Sequence, residues 1–489
     1  MENEKAIRSQ RLTAIRAKGF EPFQDHFERT HSLKTAQGLK PATPGVKIAG
    51  RIIQKRVLGK LAFLRLSDET ANYQIILRAD KIATNFKFWL KNLDLGDFIG
   101  VAGETFITQK GEPSLLVTEL NLLTKALAPL PEKFHGLTNP EKCLRQRHLD
   151  LILNLATRKL FQKRSLILQT LRDFLLKKNF LEVETPILQT NPSGAIATPF
   201  TTHHAAFDLN CVLRIAPETY LKRCLIGGFE RVFEFARCFR NEGLDPNHLQ
   251  DFTMLELYAA YENYEFLIKL TEEIFQELNK ITSSEIKFRE QKISLKPPFQ
   301  RLDFVTTVKE ASGLNVETAN LAEIRAITKK HAPEVPNLNQ LGVGNLIDVL
   351  YKKIVRPKIQ QPTFFTGQPL SLSPFARKST KNPKRAERFQ LVIAGLEIIN
   401  GFSELTDPED QAARFAEQAK IRAQGDLEAL VADQEFVAAL ANGMPPAAGL
   451  GLGIDRLVAL LTQTTNLKEA VLFPLMKPKS THNEKNQIM

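Results

Sequence analysis

Arg240, Glu242, Glu256 and Arg456 are residues from which a reaction could be built, and two short stretches hold them. The first, "FRNEGLDPNHLQDFTMLELY", runs from Phe239 to Tyr258. Side chains of an extended chain alternate between faces, so Phe252, Met254, Glu256 and Tyr258 share one face and Thr253, Leu255 and Leu257 the other. A carboxylate in a row with Phe, Met and Tyr calls for a cation, because an unpaired buried charge is costly. The planar fork of Arg240 suits a carboxylate or a phosphate, although the local pattern equally fits an Arg–Glu pair across a sheet edge. The second stretch, "AAGLGLGIDRLVALLT" (447–462), sets Gly449, Gly451 and Gly453 at alternate positions and enters a helix at Asp455 and Arg456. A strand that rich in glycine packs poorly unless something must approach its backbone closely. Such strand-to-helix turns often hold nucleotides, but alone this one is weak evidence.

The elements around these residues must position them. "ERVFEFARCFRNE" reads as a strand, "GLDPNHLQD" as a loop and "FTMLELY" as the returning strand of a hairpin. Upstream, "RKLFQKRSLILQTLRDFLLKKNF" is a long amphipathic helix running into "LEVETPIL", a short strand ended by Pro186. From Val46 to Lys125 the texture differs: five short β-rich runs, with a helical segment between the third and fourth. Five strands in so short a span predict a small barrel of the OB type. Its basic residues Arg51, Lys55, Arg56 and Lys60 favour RNA as a partner. The fold class expected is therefore α+β. The organisation is a helical extension over 1–45, a barrel over 46–125, a proline-rich linker over 126–142 and a large domain over 143–478. A mostly helical insertion occupies about 264–374, and 479–489 is a polar tail. Within the extension, "EKAIRSQRLTAIRAKGF" is a basic helix whose thin apolar face would be Ile7, Leu12 and Ile15.

The chain has 489 residues, is 43% hydrophobic and 25% charged, and carries a net charge of +12, which suits an anionic partner. Its four cysteines, Cys143, Cys211, Cys224 and Cys238, include no C-x-x-C pair, which argues against a zinc ribbon and fits a reducing compartment. No apolar run is long enough to span a bilayer, and the charged N-terminus lacks a signal-peptide core. A cytoplasmic protein without membrane contact is expected.

Taken together, "KKNFLEVETPIL", "FRNE" and "GLGLGIDR" resemble, in order, the three motifs of the class II aminoacyl-tRNA synthetases. "APETYLKR", "FTMLELYAAY", "INGFSEL", "LFPLMKP" and "RQRHLDLI" look like the lysyl branch of bacterial type, and the likeness covers nearly the whole chain. The resemblance implies a ligase that activates L-lysine with ATP and transfers it to tRNA(Lys), with Mg²⁺ as cofactor and a homodimer as the assembly. By similarity, Arg240 and Arg456 are the catalytic residues. Arg240 would hold the lysine carboxylate and the α-phosphate, and Phe252 would stack on adenine with Arg456 on its other face. Glu242, His248 and Glu397 would contact ATP. Glu256, Tyr258, Phe402 and Glu404 would face the substrate ε-ammonium, Glu218 and Gly194 the α-amino group, and Asn400 the carboxylate. In the barrel, Phe63 and Gln74 would read the anticodon, with Arg56 and Glu112 beside them. On its own, Phe63 fits barrel core as well.

Two positions depart from the family pattern. Where a second metal-binding glutamate is usual, the string "RFQLVIAGLE" has Gln390 and retains Glu397, which leaves the number of Mg²⁺ ions open. The ATP loop reads "NHLQDF", with Leu249 where an Asn is common. These departures keep a non-catalytic or low-activity RNA-binding paralogue among the alternatives. A protein-lysylating relative is another, against which the barrel argues. The aspartyl and asparaginyl enzymes are a third, against which Glu256 and Glu404 argue.

Overall fold

The structure, a computed structural model, describes residues 2–82, 85–131, 137–195, 197–243, 245–426 and 429–478. The expected polar tail and the centre of the expected linker, 132–136, lie outside these residues. The chain forms two compact units, 1–138 and 139–489.

In the first unit, five strands close a barrel in the order β1-β2-β3-β5-β4. They are β1 (Val46–Leu58), β2 (Leu61–Ser67), β3 (Asn72–Arg78), β4 (Phe98–Ile107) and β5 (Pro113–Thr124). Alternation decides the interior: Ala62, Leu64 and Leu66 point in, while Phe63 and Arg65 face out. The N-terminal helix α1 (Glu2–Ala17) packs differently from the expectation. Ile7 is exposed, and the contact face is Arg8 and Ile15. Arg8 is buried because its guanidinium satisfies the carbonyls of Leu95 and Ala126 at 3.0 and 3.1 Å, so hydrogen bonds outweigh apolar spacing there.

The second unit is built on an eight-stranded sheet. In chain order its strands are β6 (Leu181–Glu182), β7 (Arg231–Phe239), β8 (Asp251–Ala260), β9 (Gln300–Asp303), β10 (Thr363–Thr366), β11 (Arg388–Ile393), β12 (Leu396–Ser403) and β13 (Ala447–Gly453). Their spatial order is β9-β10-β11-β12-β13-β8-β7-β6, antiparallel except for the outermost pair at each edge. One face packs on helices α2 (Leu155–Lys177), α3 (Tyr264–Ile281) and α4 (Ile454–Thr462). Helix α2 turns Ile167, Leu171, Phe174 and Leu175 inward, the i, i+4, i+7, i+8 spacing of an apolar stripe. Leu255, Leu257, Leu450 and Leu452 meet that stripe from the sheet. The opposite face of the same strands is left for polar side chains, and the site lies there.

The insertion expected over 264–374 is narrower in the structure. Helix α3 belongs to the main core, and β9 and β10 are strands of the sheet. Only 304–362 departs, as helices at Phe304–Ser312, Leu321–His331 and Val343–Ile354 with a small core of their own around Val308, Ile324, Leu346 and Leu350. Strands of four residues carry too little periodicity to be heard in a sequence. Among the described residues no helix is long and apolar enough to cross a membrane.

Candidate active site

The pairing register arranges the site in rows. Glu256 and Asn400 lie on either side of Gly451, and Tyr258 and Phe402 on either side of Gly449. The glycines make that possible. A Cβ on Gly449 would stand 2.2 Å from Tyr258 Cε1 and 2.6 Å from Glu404 Oε1, and one on Gly451 would meet Met254 at 3.0 Å. The close approach demanded by the glycine spacing is thus made by side chains of the neighbouring strands. Above these rows opens a cleft of about 820 Å³, walled by Arg240, Phe252, Glu256, Asn400 and Arg456 among others.

At one end of the cleft the Arg240 guanidinium lies 5.1 Å from the Phe252 ring centroid, and its buried Nε has no hydrogen-bond acceptor among the described residues. Arg456 opens the helix after β13 and donates to the Glu397 carbonyl at 3.0 Å. Its neighbour Asp455 ties three motifs together. Asp455 accepts from Arg164 of α2 at 2.6 Å and from the Thr253 backbone at 2.8 Å, which fixes β8 against both helices. The loop between β7 and β8 places His248 against Asp245 at 2.6 Å, with His248 and Glu242 both exposed at the rim. Leu249, the departure from the family pattern, packs against the main core and anchors this loop by apolar contact. Gln250 beside it donates to the Glu242 carbonyl at 3.3 Å.

The other end of the cleft is acidic. Glu234 and Glu256 face each other across β7 and β8, yet they are treated differently. Arg214 neutralises Glu234 at 2.6 Å. Glu256 receives only the Tyr258 hydroxyl, at 3.0 Å, and makes no ion pair among the described residues. Burial, reinforced by the charge of Glu218, pushes the Glu256 carboxyl up to about 8 against the Tyr258 hydrogen bond and Arg240. Gly194, at φ +86°, comes so near Glu218 that a Cβ would stand 2.9 Å from the Glu218 Cβ. Glu404 is completely buried and forms no part of the cleft wall. It faces Lys222, whose Nζ also lies 2.5 Å from Glu218. Arg388 donates to Asn400 Oδ1 at 2.9 Å. Lys222, Arg388 and Arg214 were missed in the sequence. Only "YLKR" hinted at Lys222, since a lysine one helical turn after Glu218 can reach it.

A metal position is suggested by one pair. Gln390 Nε2 donates to Glu397 Oε2 at 3.2 Å, and the buried Gln390 Oε1 has no donor among the described residues. One carboxylate and one orphaned amide oxygen on the cleft wall fit a cation that takes most of its remaining ligands from phosphates and water. No cluster of three or more His, Cys, Asp or Glu able to hold a metal exists among the described residues.

On the barrel, Phe63 sits on the outer face between Arg56 and Ile76 of the adjoining strands. The next outward row is Arg65, Gln74 and Ser114, with Gln74 donating to the Ser114 hydroxyl at 2.9 Å. Arg65 also pairs with Glu112, so the expected residues share one face with a basic residue the sequence reading did not single out.

Comparison with known proteins gives two family matches. The model described as tRNA synthetases class II (D, K and N) covers residues 139–477, and that of the OB-fold nucleic acid binding domain covers 46–123. Among curated proteins, the lysine–tRNA ligase of Carboxydothermus hydrogenoformans is 43% identical over 97% of this chain and 98% of its own. That of Serratia proteamaculans is 42% identical over 98% and 97%. That of Enterococcus faecalis is 41% identical over 98% of each.

Proposed function

Because this chain belongs to the class II tRNA synthetases, within the lysine–tRNA ligase family, we propose that its cleft activates lysine with ATP and that its barrel reads the tRNA. Its reaction joins L-lysine to tRNA(Lys) through lysyl-adenylate. The observation that carries the placement of lysine is Glu256. It is a buried carboxylate on the cleft wall, given a hydroxyl but no cation among the described residues, one strand from a carboxylate that has its arginine. A substrate ammonium supplies the missing charge.

The roles follow from position. An oxygen of the lysine carboxylate attacks the α-phosphorus of ATP, and the bond to pyrophosphate breaks. This step needs positioning and charge neutralisation and no acid–base pair. Arg240, whose Nε has no acceptor among the described residues, neutralises the carboxylate and α-phosphate, and Asn400 donates to the same carboxylate. Phe252 and Arg456 hold adenine between them, and Glu242 and His248 meet ATP from the loop. Glu256, with Tyr258 and Phe402 beside it and Glu404 behind, receives the ε-ammonium. Glu218 and the backbone at Gly194 receive the α-amino group. Glu397 with Gln390 Oε1 would hold Mg²⁺, which supplies charge neutralisation on the phosphoryl oxygens. On the barrel, Phe63 stacks an unpaired base while Gln74, Arg56 and Glu112 contact its edge and flanks. We place the enzyme in the cytoplasm as a homodimer. Leu166, Leu176, Leu181 and Leu188 are exposed on and just after α2, an apolar face that a second copy would cover.

Amino-acid-dependent ATP–pyrophosphate exchange tests this reading, with lysine compared against arginine, ornithine, aspartate and asparagine. Exchange with lysine alone is expected. Exchange driven by aspartate or asparagine, or by none of the five from folded protein, would contradict it.

A further inference from the structure

Lys222 is an unusual lysine. It lies on the helix Glu218–Ile226, its side chain is 1% exposed, and its Nζ is 2.5 Å from Glu218 Oε1 and 2.6 Å from Glu404 Oε2. Three phenylalanine rings surround the same ammonium, Phe375 at 4.6 Å, Phe402 at 5.4 Å and Phe436 at 5.6 Å to their centroids. This is a complete binding site for an alkylammonium, with two carboxylates and an aromatic cage, built from the protein's own side chain. It sits directly behind the position proposed for the substrate's own ammonium. Glu218 and Phe402 belong to the cleft wall, and Glu404 and Tyr258 both crowd Gly449.

Three buried carboxylates, Glu218, Glu256 and Glu404, converge on this end of the cleft, and Lys222 touches two of them. Its Nζ is the cation that meets Glu404, and no other donor reaches the Glu404 oxygens among the described residues. Burial pushes Glu218 and Glu404 above the ordinary carboxylate range and Lys222 opposes it, so without Lys222 both would hold a proton more firmly. The space of its side chain would also lengthen the pocket.

We propose that Lys222 is a positioning residue that sets the specificity of the lysine pocket: it closes the floor with a fixed internal ammonium, spends Glu404 and part of Glu218, and leaves Glu256 as the one open carboxylate. The pocket then accepts one ammonium at one depth. Arginine, whose cation is longer and broader, is refused because Lys222 holds the place its guanidinium would need. The inference rests on the placement of lysine proposed above.

The test uses full-length Lys222→Met, which keeps volume without charge, and Lys222→Ala, which empties the cage. In pyrophosphate exchange, KM for lysine should rise on the order of 10-fold in both, the loss of a charge-assisted contact, while kcat changes less. Discrimination against arginine should fall in Lys222→Ala. Propylammonium should restore the lysine KM of Lys222→Ala, and 1-propanol should not. A lysine KM and arginine discrimination unchanged in both variants overturn the proposal, as does equal rescue by 1-propanol, which reports packing alone. If neither variant folds by near-ultraviolet dichroism, Glu404→Gln asks the same question from the other end, and an unchanged lysine KM there overturns it. Glu256→Gln separates the two readings. If it raises the lysine KM while Lys222→Met does not, the pocket stands and the role of Lys222 falls. If Glu256→Gln leaves the lysine KM unchanged, the placement of lysine itself fails.

Discussion

Arg388 Nε donates to Asn400 Oδ1 at 2.9 Å, while the same guanidinium is held by the Leu372 carbonyl at 2.6 Å and the Ser373 hydroxyl at 3.0 Å. An amide whose oxygen is engaged from behind can offer only its NH₂ to the cleft, which is the group a substrate carboxylate needs. Arg388→Leu should therefore raise the lysine KM by about 10-fold, at the lower end of a charge-assisted hydrogen bond, with a smaller change in the KM for ATP. Steady-state exchange with each substrate varied in turn measures the split. An equal rise in both constants would mean that Arg388 supports the fold and not the amide.

Proton release should accompany lysine binding. Buried Glu256 titrates at about 8 in place of its ordinary 4.5, so between those values the folded chain holds a proton that the unfolded chain has lost. Its contribution to stability consequently falls as pH rises through that window. The substrate ammonium binds the ionised carboxylate and expels this proton. The lysine KM should fall as pH rises from 6 to 8, by at most about tenfold per pH unit. Calorimetry in buffers of different ionisation enthalpy reads the proton directly, and Glu256→Gln should abolish the release.

Gln390→Glu should tighten Mg²⁺ binding. The wild-type amide donates to Glu397 at 3.2 Å and brings no charge, whereas a second carboxylate would add one and lose that internal tie. Titration of ATP binding against Mg²⁺ should show a lower half-saturating concentration. An unchanged Mg²⁺ dependence would place the ion elsewhere in the cleft.

Gly449→Ala is the smallest change with a large expected effect. Its Cβ would overlap the Tyr258 ring at 2.2 Å, and backbone on three paired strands has little room to shift. Overpacking of this kind costs about 1–3 kcal/mol. A lower melting temperature together with loss of lysine-dependent exchange is expected. Full exchange activity would show that Tyr258 can move without harm.

Phe63→Ala should leave pyrophosphate exchange unchanged and weaken aminoacylation of tRNA(Lys). Loss of one base–aromatic stack is worth ~1–3 kcal/mol, roughly 5- to 150-fold in the KM for tRNA. A normal tRNA KM would return Phe63 to a structural part of the barrel's outer face.

Alternation and order made much of this enzyme legible in its sequence. The period of two in "FTMLELY" put Glu256 on the face of Phe252, and the spacing of Gly449 and Gly451 announced close contacts, because both are local properties of an extended chain. The barrel strands were readable for the same reason. Only the tertiary structure decided which carboxylate stays open. Glu234, Glu256 and Glu404 are equivalent as letters, but Arg214 reaches the first from 20 residues before it, and Lys222 reaches the third across 182 residues of chain. Strands of four residues at 300–303 and 363–366 were equally silent, since their identity as strands comes from the neighbours that pair with them. Local sequence fixes the direction in which a side chain points. The charge that meets it is brought by folding from far along the chain, and that pairing decides which residues are left for the substrate.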